Sequence, residues 1–431
     1  MASISQARDA EVIVVGAGVI GAACAFRLAQ AGRNVLLLNA DPPDRTASYG
    51  NAGHIATEQL FPLASGEVLR NSWRYLLDPD SPLRLRLGYL LPLMPWLARF
   101  VWAARRPAFV RGVAALLALQ HSAMADMKDL LADADIAHLL HQRGHLEVFE
   151  TDAGGVATQL QAARLLAYGV ESVALSADAL RGQIPHLSTS VQGGVHYLGS
   201  GHVDDPWAVC SGLQQALLRN GGQIRNARAQ QLQADPQHGV TVLLEDGRAL
   251  RAEQLLVCAG AWSKPLLASL GYRVPLDTER GYHIMVGNAA SNGPAATPAV
   301  LQRPVASHER KVIMSSMSTG LRMTGTVELG GLHLLPDPKR YQLLRRQLQA
   351  LLPGVDTSGM RNWMGFRPSL PDHLPVMGAA PRHGNVFFAF GHQHLGLTLA
   401  GVTAAVMAEL MNVSSSPLDL APYALARFRF A

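Results

Sequence analysis

"VIVVGAGVIGAACAFRLAQAG", from Val12 to Gly32, is followed after one residue by "NVLLLNAD", from Asn34 to Asp41. The apolar run ending at Val15 reads as a strand. The small and straight-chain residues after the glycines read as a helix, and Gly32 ends it as a C-terminal glycine does. "NVLLL" then supplies a second strand, apolar on both faces as in a parallel sheet. Gly16, Gly18 and Gly21 form G-x-G-x-x-G between the first strand and the helix, the context that gives this short pattern weight. Such a turn lets backbone approach a pyrophosphate, and the helix N-terminus offers it unpaired N–H groups and the positive end of a dipole. A chance glycine turn would not account for the adjoining strand pair. The unit reads as a dinucleotide cradle along Gly16, Ala17, Gly18, Val19, Ile20 and Gly21.

The second strand ends on Asn39 and Ala40, where dinucleotide folds usually carry an acidic residue for a ribose hydroxyl. An asparagine carbonyl can still accept that bond, without the strength a charge adds. Alternatively, Asn39 merely caps the strand. Asp41 is a further candidate, although Pro42 and Pro43 turn the chain away from it.

The chain has 431 residues, of which 48% are hydrophobic, enough for a large core and two or three domains. Its three cysteines, Cys24, Cys210 and Cys258, are unclustered, which indicates neither disulfides nor zinc and fits a reducing compartment. The first residues lack a secretory pattern, so the expectation is a cytoplasmic protein. "LGYLLPLMPWLARFVWAARR", Leu87 to Arg106, is interrupted by Pro92, Pro95 and Arg99, which argues against a spanning helix. Its basic flank and Trp96, Phe100 and Trp102 leave peripheral contact with the inner face of the membrane open. A net charge of +5 with scattered arginines gives no stripe for nucleic acid, but suits an anionic cofactor and substrate.

Beyond the first unit, residues from about Pro62 to Leu140 read as a helical insertion. Strands return near His145 to Glu150 and Gly193 to Asp205. Asp205 and Pro206 read as an N-cap and first-turn proline. A hairpin turns at Glu245 to Gly247, and strands and a helix then precede a last strand, "NVFFAF".

Six stretches carry a resemblance over essentially the whole chain. The glycine unit is followed in order by "SYGNAGHI", "LLVCAGAWS", "GLRMTGTVELGG", "MGFRPSLPDHLPVMG" and "FAFGHQHLGLT". In this order the chain resembles the FAD-dependent D-amino acid dehydrogenases of the D-amino acid oxidase superfamily. The resemblance implies an α/β fold in which a Rossmann-like FAD-binding domain is interleaved with an α+β substrate domain, as in D-amino acid oxidase and glycine oxidase. The expected boundaries are FAD-binding segments at 1–60, 195–270 and 362–431, and substrate-domain segments at 61–194, with the helical insertion, and 271–361.

It also implies site residues. Ser48, Tyr49, Gly50, Asn51, Ala52, Gly53 and His54 should wrap the flavin. Ala259, Gly260 and Trp262 should pass near it, and the turn from Gly391 through Leu395, Gly396 and Leu397 to Thr398 should meet its pyrimidine edge. Arg367 matches the arginine that grips the substrate carboxylate, a task suited to a planar fork of donors. Tyr282 is expected as a second carboxylate contact, and His54 or His394 as a hydrogen-bond partner of the substrate. Arg322 and Glu328 read as structural. His392 and His394 have no third ligand beside them, so no metal is expected.

The implied reaction is hydride transfer from the substrate Cα to FAD, needing orientation rather than a side-chain base. "SYGNAGHIATEQ" and "GHQHLGLT" look closest to the D-hydroxyproline dehydrogenase branch. This suggests a role in hydroxyproline degradation, with a quinone or other redox carrier as electron acceptor. The alternatives are an oxygen-using sarcosine or glycine oxidase and, from another class, a membrane- or RNA-binding flavoprotein without amino acid turnover.

Overall fold

The computed structural model describes residues 8–70, 81–287, 301–413, 416 and 418–428. Residues 1–7, on which the leader reading partly rests, and 71–80 of the helical insertion lie outside these.

A six-stranded sheet carries the glycine unit. Its order is Gln223–Asn226, Val35–Asn39, Val12–Val15, Gln254–Val257, His383–Phe390 and Val376–Ala380, with only the last pairing antiparallel. Val12–Val15 lies mid-sheet, and all four of its residues are buried, as expected for an unbroken apolar strand covered on both faces. Helix Val19–Gln30 packs against helices Pro206–Arg219 and Ala400–Val413 on one face. Asp205 caps Pro206–Arg219 by accepting from Trp207 N, with Pro206 in the first turn, as its sequence suggests. The hairpin at Glu245 to Gly247 also forms, within a three-stranded sheet over residues 229–252.

The second layer is a large mixed sheet. Asp277–Val286 pairs with Gly320–Leu329 on one side and Arg361–Ser369 on the other. The sheet continues through Val312–Met317 and Val305–Ser307 to His145–Phe149 and Gly193–Tyr197. Arg361–Ser369, within which the expected start of the third FAD-binding segment at 362 falls, belongs to this sheet along its whole length. Pro368 is accommodated because the strand lies at the sheet's edge, where a missing N–H is tolerated.

Helix Arg106–Asp133, in the insertion assigned to the substrate domain, instead buries Leu116, Leu119, Met127 and Leu131 in the core shared with Val19–Gln30 and Ala400–Val413. It is the one helix among the described residues long and apolar enough to cross a membrane, and 39% of its 18-residue apolar window is buried. Helix Leu90–Ala103 forms despite Pro95 and is anchored by Trp96, whose Nε1 donates to Ser369 O at 3.1 Å. Leu91, Met94, Val101 and Trp102 remain exposed on it.

Candidate active site

The glycine turn is shaped by close backbone approach. Gly16 has φ +108°, and a Cβ there would lie 2.5 Å from Cys258 O. A Cβ on Gly21 would lie 1.8 Å from Gly16 O, so the turn closes only with glycine at both places. Gly18 ends the turn as N-cap without a side-chain cap, and Ser48 Oγ accepts from Val19 N at 2.9 Å instead.

One cleft runs past this turn. Gly16, Ala17, Gly18, Val19, Ile20, Asn39, Ala40, Ser48, Asn51, Ala259, Gly260, Trp262, Gly391, Gly396 and Leu397 all line it. The remaining expected contacts shape the walls from behind. Gly21 packs under Gly16, and Gly50 lies beneath the Trp363 indole, 2.0 Å from where its Cβ would be. Gly53 accepts from Val203 N through its carbonyl, Leu395 is buried in the core, and Thr398 Oγ1 accepts from Ala56 N at 3.0 Å. Ala52, beside Gly53, is not among the lining residues.

Asn39 Nδ2 donates to Asn226 Oδ1 at 3.1 Å, leaving its carbonyl as an acceptor on the cleft wall. Asp41 is engaged by Arg228 in an ion pair at the same end. A glycine-lined cleft with backbone donors at a helix N-terminus, and mostly apolar walls, fits a dinucleotide carrying a flat aromatic ring.

At the other end, the large sheet faces the cleft. Side chains alternate along Asp277–Val286, so Glu279, Gly281 and His283 share one face and Arg280 and Tyr282 the other. Arg367 pairs with Glu279 in register. Its guanidinium lies over Gly281, whose Cβ would stand 2.5 Å from Arg367 Cζ. Its hydrogen bond is a long one, from Nη1 to Thr326 O at 3.3 Å, so most of the fork's five donors have no partner among the described residues. Burial pulls its pKa down, partly offset by Glu279, and burial pushes the Glu279 carboxyl up. A half-buried cation so weakly compensated favours an incoming anion.

His394 lies within electrostatic reach of Arg367, and burial and that charge hold its imidazole down to about 4. It is therefore neutral near pH 7. Tyr282 does not join this group. It is buried in the core on the opposite face, against Tyr341, and its hydroxyl accepts from Asp337 N at 3.1 Å. The expected carboxylate contact fails on strand parity. His54 lies within electrostatic reach of His394, and its Nε2 is 3.5 Å from Glu58, with the His145 ring tilted beside it at a centroid distance of 4.3 Å. His392 is a satisfied core histidine, its Nε2 3.0 Å from Thr403 Oγ1.

Residues 11–410 match the family described as DAO, FAD dependent oxidoreductase. The chain belongs to that family. The oxidoreductase is 32% identical over 424 residues to a D-amino-acid oxidase of Bradyrhizobium diazoefficiens, covering 97% of this chain and 98% of the relative. It is 33% identical over 437 residues to D-amino acid dehydrogenase 2 of Ralstonia nicotianae, covering 97% and 100%. The glycine oxidase structure from Geobacillus kaustophilus superposes with a TM-score of 0.73 at 20% identity, over 97% of this chain and 98% of that one, a likeness of fold. FAD is thus the cofactor of the α/β fold, and the enzyme oxidises D-amino acids or related amines.

Sequence reasoning left Arg322 as a structural residue, and its structural role is specific. It donates to the carbonyls of Tyr49 and Asn51, at 2.9 and 2.5 Å, pinning the loop between Ser48 and His54 to the large sheet. Glu328 forms a fully buried pair with Arg280. Arg228, Phe366 and Pro368 also line the cleft. Phe366 and Pro368 flank Arg367 in its motif, whereas sequence gave no signal for Arg228, which reaches the cleft only because Gln223–Asn226 pairs with Val35–Asn39.

Proposed function

We propose that this oxidoreductase dehydrogenates a D-configured amino or cyclic imino acid, with cis-4-hydroxy-D-proline preferred, to a Δ1-pyrroline-4-hydroxy-2-carboxylate. The observation that carries this reading is Arg367, a guanidinium with one long hydrogen bond among the described residues, set between Phe366 and Pro368, which line the cofactor cleft. Its planar fork would take the substrate carboxylate through two parallel bonds and so fix Cα. Bound FAD supplies the hydride acceptor. The amine enters deprotonated, so the protein's work is orientation and exclusion of water rather than proton abstraction. His394, held neutral beside Arg367, suits a ring hydroxyl as acceptor or donor.

The relatives named D-amino acid dehydrogenase support a redox carrier such as a quinone as electron acceptor. The exposed Leu87, Leu91, Val101 and Trp102 support peripheral contact of an intracellular enzyme with the membrane where a quinone resides. The relative named D-amino-acid oxidase favours oxygen as the second reading.

The deciding experiment mixes the yellow enzyme anaerobically with cis-4-hydroxy-D-proline or D-alanine and follows flavin bleaching. Faster bleaching by D-alanine sinks the hydroxyproline assignment. Reoxidation by a quinone analogue, compared with air, separates dehydrogenase from oxidase.

A further inference from the structure

Behind the cofactor-wrapping loop, three residues from two segments bring unsatisfied ligand atoms to one buried point. His54 and Glu58 lie on the loop, and His145 opens the strand His145–Phe149 of the large sheet. Glu58 Oε1 is 3.5 Å from His54 Nε2 and 3.6 Å from His145 Nδ1, and all three atoms fall within 4.8 Å of one another. Their side chains are only 9%, 3% and 6% exposed for His54, Glu58 and His145. None of the three atoms has a hydrogen-bond partner among the described residues.

A buried carboxylate oxygen left in this state is costly. Ser200 donates to the other oxygen, Oε2, at 2.5 Å, which leaves Oε1 unanswered. Burial holds His54 near 3 and His145 near 4, so both rings are neutral near pH 7. A neutral imidazole offers one lone pair, so each ring can turn a ligand nitrogen toward Glu58 Oε1 by its choice of tautomer. A cation would satisfy all three atoms together. Around tetrahedral zinc, with bonds of about 2.0–2.2 Å, neighbouring ligand atoms stand about 3.3–3.5 Å apart. The two distances to Glu58 lie within a few tenths of an ångström of that. Six-coordinate packing at similar bond lengths would need about 3 Å.

We propose that His54, Glu58 and His145 bind one zinc-class divalent cation, with water in the fourth position. The ion would clamp the cofactor-wrapping loop to the large sheet and leave a net positive charge behind the cleft. Its function is structural and electrostatic, without redox chemistry of its own.

The test uses the tag-free, FAD-loaded enzyme, stripped with a chelator and titrated with cobalt chloride. The readout is the visible band of four-coordinate cobalt, which lies to the red of flavin absorption. One equivalent should develop the band, and zinc should displace it. Glu58→Gln and His145→Gln should each weaken binding by more than about tenfold, whereas His308→Gln, whose ring pairs with Glu147, should leave it intact. No saturable band, a six-coordinate spectrum, or undiminished binding in the Glu58 and His145 variants overturns the site. If either variant fails to hold FAD, the unaltered enzyme decides. A rise in Tm saturating at one equivalent of zinc supports the site, and an unmoved Tm overturns it.

Discussion

Gly281→Ala tests whether the guanidinium of Arg367 is placed for catalysis. A Cβ at position 281 would stand 2.5 Å from Arg367 Cζ and Nη2 and 2.8 Å from Nη1. Ordinary carbon contacts begin near 3.5 Å, so the flexible end of Arg367 must retreat by about 1 Å. Overpacking of this kind costs about 1–3 kcal/mol of stability, which a large domain survives. The charge remains, and only its position changes. Misplacing an orienting group by about 1 Å can cost about 10²-fold in rate, so kcat/KM should fall about a hundredfold. The assay is anaerobic flavin bleaching over a range of the best substrate, with flavin content measured alongside. Arg367→Lys should resemble Gly281→Ala, because it keeps the charge and loses the fork. Arg367→Met should lose two charge-assisted bonds of about 1.5–3 kcal/mol each, roughly 10²- to 10⁴-fold. A Gly281→Ala enzyme with full flavin and kcat/KM within about threefold of the parent would refute the assignment of Arg367 to the substrate.

Three further outcomes follow from the geometry. Asn39→Asp should leave substrate preference unchanged and hold or modestly tighten FAD, because the Asn226 amide can turn to donate to the new carboxylate. Equilibrium dialysis with FAD and a substrate panel check this. Arg322→Gln removes at least one of two charge-assisted bonds to Tyr49 and Asn51 carbonyls, each worth about 1.5–3 kcal/mol. It should release FAD more readily at a lower Tm, as flavin fluorescence during heating would report. Burial lowers His283 and His392 to about 3. Between pH 6.5 and 3 the unfolded chain therefore binds protons that the folded chain refuses. Stability from these groups is complete above pH 6.5 and lost as pH falls, by about 1.4 kcal/mol per pH unit for each histidine. Urea unfolding at pH 7, 6 and 5 measures the slope, and His392→Gln should flatten it by one histidine's share.

The cofactor half of the molecule was legible because its information is local. The glycines between strand and helix, the Asp205–Pro206 cap and the hairpin at Gly247 each depend on residues adjacent in sequence. The substrate half depends on parity and partners. Arg367 was expected from its motif, but whether Tyr282 shared its face turned on one residue of register, and a slip of one reverses every side chain. Position 281 looked like an ordinary strand glycine until a guanidinium was found above it. Glu58 and His145 gave no sequence signal at all, because the loop and the strand meet only when both sheets are assembled.

The position of Gln254–Val257, between Val12–Val15 and His383–Phe390, also bears on how the protein is made. The first strand, emerging early from the ribosome, pairs with Val35–Asn39 on one side and keeps an open edge on the other until residue 254 has been synthesised. At about 5–20 residues per second, that is a wait of roughly 10–50 s with an apolar edge exposed. The sheet then remains incomplete until residue 383 and beyond arrive. Nascent chains should therefore engage chaperones early and acquire flavin late, and products that stop short of the Gly391 turn should be cleared by proteases rather than persist as cofactor-binding fragments.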